Sequence, residues 1–382
     1  MFIYHYPFDD HFANIFADWG WTYIGLSINH CGTGLDMSKG GPNAQAVGSV
    51  IIVDSSIANT TTGILTAYVF QNKFNATDLT GGSLALENVN ITQVGTAVQG
   101  VNGASLVGTN SSSPSFTIDA WVEGNTYNPT GPNDAMGDAT AFTRPQTLQG
   151  NSSSYFTWSK PQYEHLNASA FLSARTAGCK GDGVTDDTAA ITAAIALAQS
   201  NGKILFFDAG IYVVTSTIVF TPGLKVIGES YPVILGSGSS FSDVSNPLPV
   251  VQVGNSNATQ GIVQWSDMVV STQGNTAGAI LIQWNLLSDS NSPSGMWDIH
   301  TRIGGFKGSK LQADDCPISP ANPDCAAAFA SMQITTSAGG LYMENIWLWT
   351  ADHDLDDPSQ SSVTVLTGRG LSVEAEAGNI WL

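Results

Sequence analysis

The residues best suited to chemistry lie close together between positions 347 and 357, where two tryptophans precede a histidine and several aspartates. An indole ring offers a flat apolar face to the C–H face of a pyranose, and neighbouring carboxylates or imidazoles can hydrogen-bond the sugar hydroxyls. This combination predicts a site for a neutral sugar, formed by Trp349, Asp352, His353 and Asp354. The structural alternative is that the tryptophans fill the interior of the fold and the aspartates form a solvated turn.

A second polar group lies on one predicted strand. Asp298, His300 and Arg302 alternate with other residues, and alternate residues of a strand point to the same face. Three polar side chains are costly to bury together, so this face is predicted to line a cleft or to lie on the surface. We add these three residues to the candidate sugar contacts.

Two glutamates, Glu344 and Glu374, stand among apolar neighbours in predicted strands. Burial would raise the pKa of either carboxyl and suit it to general acid catalysis, although a carboxylate satisfied by backbone donors or solvent is commoner. The six histidines are scattered, with no two at ligand spacing on one element. We therefore predict no metal and no other cofactor.

The elements that must position these groups change type near residue 181. Gly181-Asp-Gly predicts a turn, Thr185 is a candidate helix cap, and Asp186 and Asp187 suit the positive end of the helix dipole. A short capping helix is expected over residues 186–200. Its apolar stripe consists of residues three and four apart: Ile191, Ala194, Ile195 and Ala198.

Short β-rich runs follow this helix in quick succession. They are Ile204–Phe207, Ile211–Val214, Thr217–Phe220, Leu224–Ile227 and Val233–Leu235. The gaps between them are too short for crossover helices, so successive strands are predicted to stack as the coils of a parallel β-helix.

The first part of the sequence has a repeat of the same kind. Segments around Ile28, Ile57 and Ile91 superpose with spacings of 29 and 34 residues, which is typical of one β-helix coil with loops of variable length. The competing fold, an antiparallel sandwich, would need Asn-Gly or Asp-Gly hairpins, and these are scarce.

The predicted fold class is therefore all-β, with two tandem right-handed parallel β-helices, the first partial and the second incomplete. We expect residues 1–125 to form the last coils of the first β-helix and residues 171–382 to form the second. Residues 126–170 are rich in Pro, Gly and Ser and are predicted to be a linker.

Charge excludes several classes of partner. Twelve Lys plus Arg against 31 Asp plus Glu give a net charge of −19, which disfavours nucleic acid, anionic membranes and polyanionic substrates. No apolar run approaches the roughly 18 residues of a membrane span. We expect a monomer that binds a neutral partner.

Sequons and cysteines predict a secreted glycoprotein. Seven Asn-x-Ser/Thr sequons are present: Asn59, Asn75, Asn90, Asn110, Asn151, Asn167 and Asn257. Cys316 and Cys325 flank prolines in one loop and predict a local disulfide, whereas Cys31 and Cys179 have no evident partner. Residues Met1–Asp10 lack the pattern of a signal peptide, so we expect a missing beginning.

Several of these segments resemble one family. The run from Gly181 to Ile191, Gly-Asp-Gly-Val-Thr-Asp-Asp-Thr-Ala-Ala-Ile, is similar to the start of pectate-lyase-superfamily β-helices. With Asp18-Trp-Gly-Trp-Thr22, Asn29–Met37 and the segment around Trp347, it resembles fungal exo-β-1,3-glucanases of glycoside hydrolase family 55. The resemblance implies release of glucose from β-1,3-glucan with inversion, in which one carboxyl protonates the leaving oxygen and another activates water.

The resemblance covers later coils of the family's first β-helix and earlier coils of its second. It implies that the catalytic acid and base lie beyond Leu382, so no catalytic residue is assigned and the chain is expected to be an inactive fragment, truncated at both ends. One rival is a polysaccharide lyase of the same superfamily, which would need Ca²⁺ and a basic groove. The other is a non-catalytic carbohydrate-binding β-helix.

Overall fold

The computed structural model describes residues 11–14, 20–38, 47–66, 68, 82–100, 103–109, 114–129, 131–150, 153–255, 259–320, 322–376 and 378–382. The chain divides into two compact units, Met1–Ser159 and Lys160–Leu382. Strands dominate both units, and the described residues contain one α-helix. The predicted all-β class is confirmed. Two predictions concern residues that the structure does not describe: the missing signal peptide at Met1–Asp10 and the sequons at Asn75, Asn110, Asn151 and Asn257.

The first unit is built from strands β1 to β11. They span His11–Asn14, Trp21–Ile24, Ser27–Asn29, Thr33–Asp36, Ser49–Ala58, Thr62–Leu65, Ser83–Thr92, Thr96–Gln99, Ser105–Gly108, Ser115–Asn128 and Gly131–Asp138. One sheet has the order β1-β4-β6-β8-β9 and the other β11-β10-β7-β5-β2, with β3 also paired to β5. Successive coils pair in parallel, which confirms a parallel β-helix.

The predicted repeat is confirmed in the register of these strands. Ile28 pairs with Ile57, and Ile57 pairs with Ile91. Each of the three is 1% exposed, so the column of isoleucines lies inside the unit. Such stacking stabilises the unit because each coil buries its interior against its neighbours.

Strands β10 and β11 depart from the coil. β10 pairs antiparallel with β7, and β11 pairs antiparallel with β10. The first residues of the predicted linker therefore belong to a hairpin, in which Asn128 pairs with Gly131 on either side of Pro129 and Thr130. Hairpin turns and linkers are both rich in Pro, Gly and Asn, because these residues favour backbone conformations that end a strand. The composition of this segment therefore did not distinguish the two. The boundaries given for the two β-helices stay a prediction.

The second unit contains helix α1, Thr188–Ser200, and strands β12 to β29. The strands span Phe171–Ser173, Asp182–Asp186, Ile204–Phe207, Ile211–Val214, Ile218–Phe220, Lys225–Gly228, Val233–Ser237, Leu248–Val253, Gln264–Gln273, Ala279–Trp284, Ser294–Ile303, Ala326–Ala328, Ala330–Ile334, Leu341–Glu344, Trp347–Thr350, Leu366–Thr367, Leu371–Val373 and Ile380–Trp381. One sheet has the order β16-β19-β21-β24-β28. A larger, branched sheet follows two paths, β12-β14-β17-β20-β22-β25-β29 and β13-β15-β18-β20-β22-β26. The long strands β20 and β22 belong to both paths, and all these pairings are parallel.

Helix α1 packs its predicted stripe against the coils, since its buried residues are Ile191, Ala194, Ile195 and Ala198. The residue at its N-cap is Asp187 and not Thr185, so the helix begins two residues later than predicted. Asp187 is 1% exposed, and its carboxylate accepts the backbone N–H groups of Lys180 at 2.7 Å and Gly181 at 2.9 Å. Thr185 instead belongs to β13 and donates to Asp182.

Large side chains fill the interior of the second unit. Trp265 and Trp284 are fully buried among aliphatic residues of successive coils, and Trp297, which is 1% exposed, lies beside the ring of Tyr342. In the part of the chain that the structure describes, α1 is far too short to cross a bilayer, and no other helix could do so.

Candidate functional site

The site begins where successive coils of the second unit turn the same corner. The backbone is left-handed at Asp267 in β20 and at Asp298 in β22, with φ of 61° and 54°, and at Asn345 between β25 and β26, with φ of 55°. Asp and Asn tolerate this conformation because their short side chains bond locally. The pairing of these strands places the three residues one above another, and we call them the bend column.

Lys160 joins the members of the bend column. Its Nζ lies 2.7 Å from Oδ1 of Asp267 and 2.6 Å from Oδ2 of Asp298, and the Asn345 amide donates to the other oxygen of Asp298. Burial opposes the charge of the ammonium group, but the two carboxylates outweigh it and raise the pKa of Lys160. Asp298, predicted to bind sugar, therefore has both carboxylate oxygens bonded within the protein.

Beyond the bend column, β22 and β26 bring polar and aromatic side chains together. His300 pairs with Trp347, and Arg302 pairs with Trp349. The two indoles stack with ring centroids 5.3 Å apart and planes at 17°, while Leu348 between them packs on the core. Trp347 is 56% exposed, so this ring does not fill the interior as the structural alternative required.

The stacked tryptophans are the centre of a continuous series of rings. Tyr231 stacks on His300 with centroids 5.3 Å apart, and His300 meets Trp347 edge-on at 6.2 Å. At the other end, the His353 ring lies 5.5 Å from that of Trp349. We call these five residues the aromatic row. The most exposed rings of the row, Tyr231 and Trp347, offer apolar surface on which a sugar can stack.

His300 also holds the backbone of the aromatic row. Its Nδ1 accepts the N–H of Trp347 at 3.2 Å, which places the proton of the neutral ring on Nε2. Burial lowers the pKa of His300, although the carboxylates of Asp298 and Asp267 oppose the effect. The surroundings of His300 therefore favour the neutral imidazole.

The aspartates after β26 have different roles. Asp352 has a side chain that is 78% exposed and lies 2.7 Å from Nδ1 of His353, and this hydrogen bond lowers the pKa of Asp352. Asp354 is only 4% exposed and accepts N–H groups from Ala313 at 3.1 Å and Asp356 at 3.0 Å and the side-chain amide of Gln312. Asp354 therefore organises the loop, whereas Asp352 faces solvent.

Arg302 is half-buried. Its guanidinium carbon sits 4.2 Å from the centroid of the Phe306 ring, and its Nε is buried without a hydrogen-bond partner. Burial lowers the pKa of Arg302, and the charge of Asp356 partly opposes this. The group is half-buried next to the strand that carries Trp349.

The structure separates the predicted sugar contacts into two sets. Those at the aromatic row or on its rim are His300, Trp349, Asp352 and His353. Those held by other parts of the protein are Asp298, Arg302 and Asp354.

Two members of the aromatic row were missed from the sequence. Trp347 could have been included, because it stands two residues before Trp349 and shares its face of the strand. Tyr231 lies between β17 and β18, and no pattern in its surroundings indicates that its ring reaches His300 across the sheet.

The two glutamates considered as acids do not meet the condition of burial. Both are exposed. Glu344 accepts from the Tyr342 hydroxyl at 2.6 Å, and Glu374 accepts from the Gln333 amide at 3.2 Å. Neither is retained as a catalytic candidate.

The four cysteines fall into two groups. Cys316 and Cys325 form a disulfide with Cα atoms 5.9 Å apart. Cys31 in the first unit and Cys179 in the second are buried free thiols. Burial raises the pKa of both thiols, to about 12 for Cys179.

A separate cleft of about 650 Å³ in the second unit is lined by Gln260, Ile262, Leu287, Asp289 and their neighbours. It contains no member of the aromatic row and none of the predicted sugar contacts. Among the described residues, no three His, Cys, Asp or Glu side chains are grouped so that they could hold a metal ion.

The sequence is similar to one protein family and to several known fungal proteins. Residues 171–292 match the family described as rhamnogalacturonase A/epimerase, pectate lyase-like. A glucan 1,3-beta-glucosidase of Cochliobolus carbonum is 45% identical over 370 residues, which are 96% of this chain and 45% of that protein. A probable glucan endo-1,3-beta-glucosidase of Arthroderma benhamiae is 33% identical, covering 96% of this chain and 52% of the relative.

A third relative, named a non-secreted LysM effector, comes from Penicillium expansum. It is 35% identical over 86% of this chain and 26% of its own length. The chain thus spans about half the length, or less, of the curated relatives it matches. The resemblance inferred from the motifs is confirmed: over 96% of its length the chain is similar to fungal proteins of the glucan 1,3-β-glucosidase type, glycoside hydrolase family 55, and residues 171–292 match a pectate-lyase-like family.

Proposed function

We propose that this chain supplies a glucan-binding surface to a glycoside hydrolase that releases glucose from β-1,3-glucan. The observation that carries the proposal is the stacked pair Trp347 and Trp349, of which Trp347 is 56% exposed. A neutral sugar is the ligand that such a surface suits, because stacking on the C–H face of a pyranose needs no charge. The names of the relatives support β-1,3-glucan as the substrate class.

The aromatic row would hold the glucan while a pair of carboxyl groups performs the hydrolysis. In an inverting reaction one carboxyl protonates the glycosidic oxygen and the other deprotonates a water, with the two groups roughly 6.5–9.5 Å apart. We assign neither role to a residue of this chain. Asp352, on the rim of the row, is proposed as a hydrogen-bond acceptor for sugar hydroxyls and not as an acid.

Incubation of the purified chain with laminarin tests the proposal. Glucose formed first as the α-anomer would indicate exo attack with inversion, and a ladder of oligosaccharides would indicate endo attack, which is the activity in the name of one relative. Binding of laminari-oligosaccharides without any product would support the glucan-binding surface and would show that this chain alone does not catalyse hydrolysis. Absence of both binding and product would refute the proposal.

The family match gives a second candidate, a polysaccharide lyase or hydrolase acting on a uronide polymer. Such a polyanion needs a basic groove, and the chain carries 12 Lys plus Arg against 31 Asp plus Glu. Arg144 and Lys160 are moreover engaged by carboxylates. Polygalacturonate belongs in the same assay: unsaturated uronides as the product would indicate a lyase, and saturated uronides would indicate a hydrolase.

We also propose that the chain works outside the cell. The Cys316–Cys325 disulfide supports this, since disulfides persist in oxidising compartments, as do the exposed sequon residues Asn59, Asn90 and Asn167. One relative is named non-secreted, so the location needs a direct measurement. Mass spectrometry of protein recovered from the culture medium and from cell extract, before and after glycosidase treatment, provides it.

A further inference from the structure

We infer that Lys160 is a positioning residue for the aromatic row, because it holds the bend column, two members of which lie two residues before His300 and Trp347 in the chain. The inference rests on the proposed function, since it concerns the same glucan-binding surface. Lys160 does not belong to the aromatic row, and its role is to fix the residues that do.

The connection runs through direct bonds. The Lys160 ammonium binds Asp298 at 2.6 Å, and Asp298 accepts the side-chain amide of Asn345. His300 follows Asp298 by two residues, and Trp347 follows Asn345 by two residues. Lys160 thus fixes the corner just before each of two neighbouring members of the row.

The charges at this corner make the lysine necessary. Asp267 and Asp298 lie on adjacent coils, and their side chains are only 20% and 18% exposed. Two carboxylates so close together and partly shielded from water repel each other unless a cation lies between them. Without Lys160, we expect Asp298 to turn towards solvent and to release Asn345, which changes the direction in which β26 leaves the corner.

The first unit contains a similar arrangement, and no aromatic side chain of its described residues stands at the corresponding strand positions. Arg144 binds Asp54 and lies 2.8 Å from Glu87, and Asn88 donates to Asp54 at 2.6 Å. Asp54 and Asn88 have left-handed backbones, with φ of 51° and 53°. The residues two positions further on are Ser56 and Asn90, where the second unit has His300 and Trp347. Arg144 therefore provides a matched control.

The experiment compares Lys160→Met, Lys160→Arg and Arg144→Met in the full chain. Each variant is titrated with laminaripentaose, and circular dichroism records the exciton signal of the stacked Trp347 and Trp349 pair. Lys160→Met should weaken binding roughly tenfold and reduce the exciton signal, since small displacements of binding groups are costly. Lys160→Arg should restore both, because a guanidinium can also bridge two carboxylates. Arg144→Met should lower stability while leaving both readouts unchanged.

A folded Lys160→Met protein with wild-type affinity and a wild-type exciton signal would overturn the inference. The same conclusion would follow if Arg144→Met had an equal effect on both readouts, because the role of Lys160 would then be general stability. If the wild-type chain does not bind the oligosaccharide, the proposed function fails, and the exciton signal alone decides whether Lys160 positions the rings.

Discussion

Trp347 and Trp349 stack on each other but differ in what lies beneath them. Trp347 is 56% exposed, whereas Trp349 is half-buried and packs against the core of the second unit. Trp347→Ala should therefore weaken binding of laminari-oligosaccharides by about 1–2 kcal/mol and leave the melting temperature nearly unchanged. Trp349→Ala should reduce both affinity and stability, because it also removes buried contacts.

Isothermal titration calorimetry and thermal unfolding measure the two effects. Phe142→Ala is the matched control, since Phe142 is 78% exposed and belongs to the other unit. Equal affinities of wild type and Trp347→Ala would remove Trp347 from the binding surface.

The types of these residues were predictable, and their partners were not. The sequence indicated that Trp349, Asp352 and His353 form a local group because they lie within five positions of one another. The bond between Lys160 and Asp298 joins residues 138 positions apart, and no local pattern encodes such a pairing. Asp298 was therefore predicted to bind sugar although the protein itself occupies its oxygens.

Glu123 is a second residue whose environment only the structure reveals. It is 2% exposed, and neither carboxylate oxygen has a hydrogen-bond partner. Burial raises its pKa from 4.5 to about 7, and the nearby Thr66 hydroxyl offsets this only in part. Because the folded protein binds this proton more tightly than the unfolded chain, stability should fall as the pH rises from 4.5 to about 7.

Glu123→Gln removes this titration. Between pH 4.5 and pH 8, the wild-type protein should lose up to about 3 kcal/mol of unfolding free energy through this group, since each pKa unit corresponds to about 1.4 kcal/mol. The variant should not show this loss. Urea unfolding of the first unit at both pH values measures the difference. Asp119→Asn, which removes an exposed carboxyl from the same strand, is the control. A wild-type pH profile for Glu123→Gln would show that another group is responsible.

At the scale of an element, α1 depends on the turn that precedes it. The Asp187 carboxylate accepts two backbone N–H groups of that turn, from Lys180 and Gly181, and the residue is buried. Asp187→Asn directs an amide N–H₂ group at one of these backbone N–H donors, which is then left without an acceptor. The free energy of unfolding should fall by about 2 kcal/mol. The exposed neighbour Asp186 offers a control of equal charge, Asp186→Asn.

Denaturant unfolding followed by far-ultraviolet circular dichroism tests this prediction. The Asp187→Asn midpoint should be clearly lower than that of Asp186→Asn. Similar midpoints for the two variants would mean that the buried carboxylate does not stabilise the turn.

Elements with a strong period were predictable, and the hairpin was not. Ile204–Phe207 and Ile211–Val214 have the predicted bounds, because each β-rich run is followed by polar residues that leave the ladder, Asp208 after the first and Thr215-Ser216 after the second. Strands β10 and β11 were missed at their junction, where Pro129 and Gly131 also fit a linker. Antiparallel pairing with β7 comes from the tertiary structure, and the turn composition alone does not specify it.

For the whole molecule, charge gives the clearest expectation. A chain with a net charge of −19 should bind a neutral glucan with an affinity that changes little between about 0.05 M and about 0.5 M NaCl, because no counter-ions are released. It should not retain polygalacturonate at either salt concentration. Titration of laminaripentaose at both concentrations, with polygalacturonate as the comparison, provides the test. Retention of polygalacturonate that weakens steeply as salt rises would contradict the prediction, because it would show binding of a polyanion.

The two buried thiols give each unit its own reporter of opening. Cys31 belongs to the first unit and Cys179 to the second, and both are shielded from solvent in the folded chain. A maleimide added in short pulses during gradual denaturation would label each cysteine only after its own unit has exposed it. Peptide mapping of the label would then show which of the two β-helices unfolds first, without a substitution anywhere in the protein.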